Sequence, residues 1–192
     1  MKIAITGGIG SGKSYVCRLL RQRGIEVYDC DAAAKRLMRT SDDLKARLTA
    51  LIGPEAYTAD GLLNKGAVAR FLLQSEANAR AIDAIVHPAV VSDFLQSGCS
   101  WMESAILYQA GIAHVVDRVI AVTAPREVRI GRIMQRDGIS REKALEWLGR
   151  QWPQDEVRRL ADYEIVNDGR PLEPQITEII NNIEKLQQNK HS

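Results

Sequence analysis

Eight residues near the amino terminus carry the clearest chemical signal in this sequence. They match the pattern G-x-x-x-x-G-K-[ST] at every position, and they read Gly7-Gly8-Ile9-Gly10-Ser11-Gly12-Lys13-Ser14. Glycines in such a loop let consecutive backbone N–H groups turn inward toward a phosphate. The lysine is placed to neutralise the β- and γ-phosphates, and the serine hydroxyl is placed to ligate Mg²⁺. The motif therefore predicts a nucleoside triphosphate site, but not what is done with the nucleotide.

The sequence lacks two motifs that would indicate a guanine nucleotide. No Asp is followed three residues later by Gly, and no Asn-Lys-x-Asp occurs, since Asn64-Lys65 is followed by Gly66-Ala67. Guanine specificity therefore has no support, and ATP is the expected nucleotide.

A pair of carboxylates, Asp29 and Asp31, closes the second predicted strand. The carboxyl ends of parallel strands meet at one edge of a sheet, so we expect both side chains to face the phosphate loop. If the strand continues, positions two apart point the same way. One carboxylate could orient or deprotonate an attacking hydroxyl, and either could hold Mg²⁺ directly or through water. The alternative for Asp31 is to cap the helix that follows it.

A basic segment lies between residues 126 and 159, which contain nine basic and six acidic residues. Arg129, Arg132 and Arg136 are three and four residues apart, so they line one side of a predicted helix. A guanidinium group can meet the oxygens of a transferring phosphoryl group in two places at once. We therefore expect Arg132 and Arg136 to act on phosphate, although a solvated helix face is the alternative.

The elements that position these residues are predicted from the spacing of apolar side chains. A strand, the loop, a helix from Lys13 and a second strand occupy the first thirty residues, which is the size of a βαβ unit with parallel strands. The predicted strands are residues 2–6, 25–29, 99–107, 118–123 and 163–166. The sequence therefore predicts one α/β domain built on a parallel sheet.

Helices are predicted between and after these strands. Residues 32–96 are mostly helical in spacing, and the prolines and glycine at Pro54, Gly61 and Pro88 are expected to separate the helices. This stretch would form a substrate-side subdomain. Later helices are predicted from Pro125 through residue 136, after Ser140 as an N-cap, and in the tail.

Composition excludes several classes of protein. The chain has 192 residues, 45% of them hydrophobic, and its 26 basic and 24 acidic residues leave a net charge of +2. Such a chain is expected to fold without disorder, and it lacks the charge of a protein that coats nucleic acid. Three cysteines without C-x-x-C spacing, beside only three histidines, predict free buried thiols rather than a zinc site. With no signal peptide or membrane span in the sequence, we expect a cytoplasmic protein with no membrane partner.

The motifs taken together resemble the dephospho-CoA kinase family. The resemblance begins with Thr6 and the phosphate loop and covers most of the chain in the right order. It continues through 24–31, Ile85-Val86-His87-Pro88, Glu103-Ser104-Ala105-Ile106-Leu107, 124–137, Gln151-Trp152 and 165–168. This is far more specific than a phosphate loop alone.

The resemblance implies transfer of the ATP γ-phosphate to the ribose 3′-hydroxyl of dephospho-CoA, the last step of coenzyme A synthesis. It also implies a P-loop nucleoside-kinase-like fold in three parts. These are a three-layer core with a parallel sheet (1–31, 99–125 and 161–192), a helical CoA-side subdomain (about 32–98) and a helical lid (about 126–160). The implied ligands are ATP with Mg²⁺ and dephospho-CoA, for a monomer or small homo-oligomer.

The resemblance also implies roles for residues that bind the acceptor and the metal. Asp31 falls where the family orients and deprotonates the 3′-hydroxyl, and His87 falls where the family contacts the acceptor. Ser14 is the implied Mg²⁺ ligand, with Asp31 as a second ligand through water.

Further residues are implied on the nucleotide side. Lys13, Arg132 and Arg136 are expected to be catalytic, the two arginines from the lid, and Asn167 falls near the adenine. The implied ATP-binding residues are Gly8, Ile9, Gly10, Ser11, Gly12, Lys13, Ser14, Tyr15 and Asn167.

Two residues depart from the family pattern. Tyr15 stands where Thr is common, and Gln109 stands where Glu is common, which puts an acidic role at that position in doubt. Glu103 is close in sequence but is not assumed to replace that acid. The alternative functions are another small-metabolite or nucleoside monophosphate kinase, or a nucleotide-dependent switch or assembly ATPase.

Overall fold

Five β-strands form one sheet in the computed structural model, which describes residues 1–189. The last three residues of the predicted core segment 161–192 lie outside the described part. The strands are β1 (Ile3–Thr6), β2 (Val27–Asp29), β3 (Trp101–Glu103), β4 (Arg118–Thr123) and β5 (Tyr163–Val166). Their order is β2-β3-β1-β4-β5, and β1 pairs in parallel with both β3 and β4. The predicted α/β fold with a parallel sheet is confirmed.

Helices supply most of the remaining structure. They are α1 (Lys13–Gln22), α2 (Cys30–Thr40), α3 (Asp42–Ile52), α4 (Lys65–Gln74), α5 (Glu76–Gln96), α6 (Arg126–Asp137), α7 (Arg141–Gly149), α8 (Gln154–Leu160) and α9 (Leu172–Gln188). Short 3₁₀ turns occupy Pro54–Ala56 and Ala113–Val115. Within residues 1–189, none of these helices is long and apolar enough to span a membrane.

The chain divides into two compact units. One contains Met1–Tyr28 and the chain from Cys99 onward, and the other is Asp29–Gly98. The first unit holds the sheet, the phosphate loop and the basic segment. The second is built from α2, α3, α4 and α5.

The main core of the first unit lies around β1. Ile3 and Ile5 are fully buried, as expected for a central parallel strand that is covered on both faces. Helices α1 and α9 pack into the same apolar cluster, to which they contribute Leu20 and Ile176 among others. The apolar face of α1 thus packs against the sheet, and this packing holds the phosphate loop that precedes the helix.

The basic segment has a small core of its own. Ile130 and Ile133 of α6 pack with Ala144 of α7. Ser140 is the N-cap of α7 as predicted, because its Oγ accepts a hydrogen bond from the N–H of Lys143 at 3.3 Å. The side chain of Gln154 exchanges two hydrogen bonds with the backbone of Ala124, which ties the start of α8 to the end of β4.

The second unit corrects one predicted boundary. Pro88 does not separate two helices, because α5 runs from Glu76 to Gln96 with the proline inside it. Proline inside a helix removes one backbone hydrogen bond. Val90 and Phe94, which follow the proline, are buried, and this packing outweighs the local preference to stop.

The third predicted strand is also shorter than expected. It was predicted over residues 99–107, but β3 covers only Trp101–Glu103. The N–H of Ser104 still reaches the carbonyl of Ile5, and the chain then turns, with the N–H of Ala110 bonded to the carbonyl of Ile106. The apolar residues predict that this segment is buried, but the length of the strand depends on how many residues pair with β1.

Candidate active site

The phosphate loop, residues 7–14, joins β1 to α1. Gly12 is the N-cap of α1 with φ of +91°, a backbone conformation that glycine adopts without strain. A Cβ at this position would stand 2.0 Å from Nδ2 of Asn167, so the space also requires glycine. The free N–H groups and the dipole of α1 therefore face the loop, which favours an anion there.

Lys13 forms a buried ion pair with Glu103. Its Nζ lies 2.6 Å from Oε1 of Glu103, and the two side chains are only 11% and 10% exposed. The pairing of β1 with β3 places Glu103 opposite Ile5, one residue before the end of β1. Glu103 thus holds the ammonium group of the loop lysine in one position.

The surroundings keep Glu103 ionised. Burial raises its pKa, but hydrogen bonds from Cys17 and Lys13 and the charges of Lys13 and Arg21 outweigh burial, so the pKa lies below its ordinary value of 4.5. Burial and this neighbouring carboxylate raise the pKa of the Cys17 thiol, which stays protonated. All three cysteine thiols are buried, as the sequence predicts.

Sequence reasoning did not include Glu103 among the site residues. The sequence placed it inside the predicted strand 99–107, and not at the carboxyl end where parallel strands collect ligand-binding residues, so no local signal marked it. The contact with Lys13 is visible only once β3 is known to lie beside β1.

Arg132 and Asn167 meet at the opposite side of the loop from its first glycines. Asn167 is buried, and its Nδ2 donates to the carbonyl of Ser11 at 2.9 Å. Nη1 of Arg132 donates to the carbonyl of Gly10 at 3.2 Å, and Nη2 donates to Oδ1 of Asn167 at 3.1 Å. The structure therefore brings these two predicted site residues together against the loop backbone.

Arg129 contacts the first half of the loop. It is 7% exposed, and its Nε donates to the carbonyl of Ile9 at 2.9 Å. The N–H of Ile9 in turn donates to Oε1 of Gln151 at 2.7 Å. Gly8 allows this approach, since a Cβ there would lie 2.5 Å from Nη2 of Arg129 and 2.9 Å from Oε1 of Gln151.

Ser14 and Tyr15 lie in the first turn of α1, and both are exposed. The guanidinium carbon of Arg18 lies 4.8 Å above the Tyr15 ring. No cluster of three His, Cys, Asp or Glu side chains suited to a metal occurs within residues 1–189. Mg²⁺ usually keeps several waters and binds one or two side chains together with substrate phosphates, so an accessible Ser14 hydroxyl fits that mode of binding.

The acidic pair is arranged differently from the prediction. The strand ends at Asp29, and α2 begins at Cys30, so Asp31 lies in the first turn of a helix and not on a continued strand. Asp29 provides the cap, because its Oδ1 accepts a hydrogen bond from the N–H of Ala32 at 2.9 Å. The capping role considered for Asp31 is therefore wrong, and Asp31 is left available for chemistry.

His87 lies in the interior of α5. Its Nε2 is 3.5 Å from Oδ1 of Asp83, one turn earlier on the same helix. Asp31 and His87 both belong to the second unit, and their proposed roles toward the acceptor stay predictions.

Arg136 is not drawn toward the loop in the way that Arg132 is. Its side chain is 61% exposed, and its Nη2 lies 2.7 Å from Oδ2 of the adjacent Asp137. Gln109 is exposed as well, and its Nε2 donates to the carbonyl of Arg150 at 3.4 Å.

Comparison with known proteins identifies the family. The family model described as dephospho-CoA kinase matches residues 1–173 of this chain. The chain belongs to the dephospho-CoA kinase family. The sequence resemblance is thereby confirmed.

Individual members of the dephospho-CoA kinase family cover nearly the whole chain. A dephospho-CoA kinase from Bacteroides fragilis is 39% identical over 188 residues, which are 94% of this chain and 91% of that protein. One from Porphyromonas gingivalis is 38% identical and covers 94% of this chain and 93% of its own length. The crystal structure of a Thermus thermophilus protein superposes with a TM-score of 0.79 at 32% identity over 96% of both chains.

The fold of this dephospho-CoA kinase family member is shared more widely. A shikimate kinase from Acinetobacter baumannii superposes with a TM-score of 0.56 at 18% identity, over 96% of this chain and 93% of its own. At that identity the similarity concerns the fold alone. It agrees with the predicted P-loop kinase architecture.

Proposed function

We propose that this chain transfers the γ-phosphoryl group of ATP to the ribose 3′-hydroxyl of dephospho-CoA, giving coenzyme A and ADP. The observation that carries the proposal is the match of a dephospho-CoA kinase family model to residues 1–173, on a chain whose phosphate loop has the required geometry. The helical segment 32–98 is the proposed acceptor subdomain, and residues 126–160 are the proposed lid.

The nucleotide would be held by the phosphate loop and the start of α1. Backbone N–H groups between Gly8 and Ser14, with Tyr15 next to them, would bind the phosphates, and the α1 dipole favours their charge. Lys13 neutralises charge on the β- and γ-phosphates. Glu103 orients Lys13, because their 2.6 Å contact leaves the ammonium little freedom. Asn167 lies beside Gly12 and is proposed to approach the adenine.

Mg²⁺, when bound, would neutralise phosphate charge and orient the triphosphate. Ser14 is the proposed protein ligand for it, with Asp31 acting through water. The accessible hydroxyl in the first turn of α1 supports this assignment.

Asp31 and His87 are proposed to act on the acceptor. Asp31 would orient the 3′-hydroxyl and accept its proton as the oxygen attacks phosphorus. The Asp29 cap of α2 leaves the Asp31 carboxylate free for this role. His87 would contact dephospho-CoA from α5.

Arg132 and Arg136 are the proposed lid residues that stabilise charge on the transferring group. Arg132 already touches the loop backbone at Gly10. Arg136 would have to leave Asp137 to act, and both groups are at the surface, so that exchange costs little. Closure of the lid would also exclude water and limit hydrolysis of ATP.

An acceptor-dependence assay tests the proposal. Purified protein is given Mg²⁺-ATP with dephospho-CoA, a nucleoside monophosphate, a small sugar or no acceptor, and ADP release is measured. The proposal requires release that depends on dephospho-CoA. Dependence on another acceptor would indicate a different small-molecule kinase, and release without any acceptor would indicate an ATPase or switch.

Two further properties belong to the proposal. We infer a cytoplasmic enzyme, since the proposed reaction consumes ATP and buried cysteine thiols are compatible with a reducing compartment. We also infer a monomer or small homo-oligomer that binds neither membrane nor nucleic acid. Size-exclusion chromatography with light scattering tests the oligomeric state.

A further inference from the structure

Arg129 is a buried charge whose surroundings contain no carboxylate partner. Its side chain is almost completely buried in α6, yet among residues 1–189 no Asp or Glu lies within ion-pair distance of it. Burial lowers the pKa of Arg129, and no neighbouring charge in the described part of the chain offsets that lowering. Because buried charges are normally paired, an unpaired guanidinium beside a phosphate loop indicates an anion that belongs there.

A small cavity lies beside this guanidinium. Its volume is about 20 Å³, enough for roughly one water molecule, so a phosphoryl group enters only if a lining side chain moves aside. Arg129 lines it together with residues at or just after the carboxyl ends of β1, β4 and β3, which include Thr6, Thr123 and Ala105. The cavity therefore lies at the ligand-binding edge of the sheet, on the side of the loop where Arg129 contacts Ile9.

Two residues that line this cavity carry buried hydroxyl groups with no hydrogen-bond partner in the described part of the chain. They are Oγ1 of Thr6 and the hydroxyl of Tyr108, and both atoms are buried. Burial, followed by the charge of Asp162, raises the pKa of Tyr108 to about 12, so this hydroxyl is a neutral donor at pH 7. Buried polar groups are normally satisfied, so two unsatisfied hydroxyls in one cavity indicate a polar ligand.

The N–H of Ile9 in the phosphate loop is already bonded to the side-chain oxygen of Gln151. Its Oε1 accepts from the N–H of Ile9 at 2.7 Å, which is the kind of bond that a phosphoryl oxygen would make. A second cavity of about 620 Å³ shares Arg129, Gln151 and Trp152 with the first. The carboxamide of Gln151 can therefore swing into open space and release the N–H of Ile9.

We infer that Arg129, Tyr108 and Thr6 form an oxyanion subsite that binds the phosphoryl group as it is transferred, with Gln151 yielding the Ile9 N–H to it. This rests on the proposed kinase function and adds a catalytic arginine to it. In the step, the bond between γ-phosphorus and the bridging oxygen breaks and its electron pair stays on ADP. A bond forms from the 3′-oxygen to phosphorus, and the hydroxyl proton passes to Asp31. The same subsite then holds the 3′-phosphate of the product.

The Tyr108 ring is positioned for this role. It stacks on Trp152 with ring centroids 6.4 Å apart and planes 10° apart. Trp152 is 41% exposed, so the stack lies partly at the surface. The stack holds the Tyr108 ring, and with it the hydroxyl beside the cavity, while Trp152 on the other side of the stack faces solvent.

The competing interpretation is that Arg129 only fastens α6 to the loop. Removal of the two hydroxyls separates the interpretations, since neither hydroxyl has a partner to lose in the described chain. Tyr108→Phe and Thr6→Val should therefore keep or raise Tm, because an unsatisfied buried hydroxyl is removed. Each should lower affinity for the transition-state analogue ADP–aluminium fluoride with dephospho-CoA by about tenfold or more, while affinity for ADP alone stays within threefold.

Tyr57→Phe is the matched control for the hydroxyl deletions. The Tyr57 hydroxyl donates to the carbonyl of Met38 at 2.8 Å, so its loss should lower Tm without changing affinity for the analogue. If Tyr108→Phe and Thr6→Val both raise Tm and leave analogue affinity within twofold of the wild type, the subsite does not exist.

Arg129→Gln tests the charge directly. It should weaken binding of the analogue by about 100-fold or more, with ADP affinity changed less than threefold. Arg126→Gln, at an exposed position on the same helix, should change neither. Equal losses for ADP and for the analogue would identify Arg129 as a structural fastener and overturn the inference.

Two further comparisons are needed. One tests whether the product phosphate occupies the subsite, and the other separates failure of the subsite from failure of the proposed function. A loss of affinity for coenzyme A in Arg129→Gln that exceeds the loss for dephospho-CoA would place the product 3′-phosphate in the subsite, and equal losses for the two would remove that part of the inference. Wild-type turnover with dephospho-CoA tests the proposed function, whereas binding of ADP–aluminium fluoride by each variant tests the subsite. The two can therefore fail independently.

Discussion

Replacement of Glu103 by Gln would test the electrostatic arrangement of the loop most directly. The substitution keeps the size of the side chain and an oxygen acceptor for Lys13, but it removes the carboxylate charge. Lys13 is then a largely buried cation, since its side chain is 11% exposed. Arg21 lies 3.8 Å from the other carboxylate oxygen and is 42% exposed, so it loses little.

The expected loss of stability follows from this geometry. Removal of one partner of a buried ion pair costs about 3–5 kcal/mol. The amide oxygen of Gln still accepts a hydrogen bond, so we expect the lower end of this range or slightly less, about 2–3 kcal/mol. For a chain of this length, 1 kcal/mol shifts Tm by roughly 2–4 °C, so Tm should fall by about 5–10 °C.

The loss should depend on pH in a defined direction. The pKa of Glu103 is lowered from 4.5, mainly because bonds and charges from Cys17, Lys13 and Arg21 outweigh burial. A carboxyl with a lowered pKa in the folded state stabilises the protein above its unfolded pKa, and this contribution disappears as pH falls through the folded value. The difference in Tm between wild type and variant should be full at pH 7 and shrink below about pH 4.5.

Thermal unfolding followed by circular dichroism at several pH values provides the measurement. Glu127→Gln is the matched control, because Glu127 forms two 2.8 Å hydrogen bonds with Arg141 at the surface. Such an exposed pair should change Tm by no more than about 2 °C. A Glu103→Gln protein with Tm within 1 °C of wild type at pH 7, or with a loss that is the same at pH 4 and pH 7, would refute the reasoning.

Three other predictions concern turnover and the loop backbone. Asp31→Asn should bind ATP nearly normally yet lose most turnover, and an unchanged kcat would remove Asp31 from the mechanism. Lys13→Ala should lower kcat by about 100-fold or more, because a charge that stabilises the transferring group is lost; full activity in a steady-state assay would contradict the assignment of the loop. Gly12→Ala should lower Tm by more than about 5 °C and weaken ATP binding measured by calorimetry, because the new Cβ would stand 2.0 Å from Asn167 at a φ of +91°. Gly24→Ala is its control, since φ is +79° but no atom of residues 1–189 would lie within 4 Å of the new Cβ. A comparable loss in both variants would show that backbone strain alone is responsible.

Local sequence was sufficient for the phosphate loop and for most elements. The glycine pattern, the helix after it and the apolar strands depend on backbone freedom and side-chain spacing within a few residues. The N-cap at Ser140 and a helix from Pro125 through residue 136 were predicted for the same reason, and the structure confirms the cap and places the helix at Arg126–Asp137.

Element boundaries were less predictable where tertiary packing opposes local preference. Pro88 favours a break, but the buried side chains of Val90 and Phe94 keep α5 continuous. The capping of α2 by Asp29, rather than by Asp31, depended on the residue at which β2 ends. A difference of one or two residues at that point exchanges the roles of the two carboxylates.

The sequence by itself determined the family, the nucleotide loop and the residues proposed to transfer the phosphoryl group, because these depend on residue types at fixed spacing. Only the tertiary structure decided which of the charged residues meet at the loop. Arg129, Arg132 and Arg136 look alike on a helical projection, yet one is buried against Ile9, one bonds to Asn167 and one is exposed. Glu103 lies 90 residues from Lys13 in the chain, and the strand order alone brings them together. Burial and long-range pairing are properties of the packed sheet, and no local spacing encodes them.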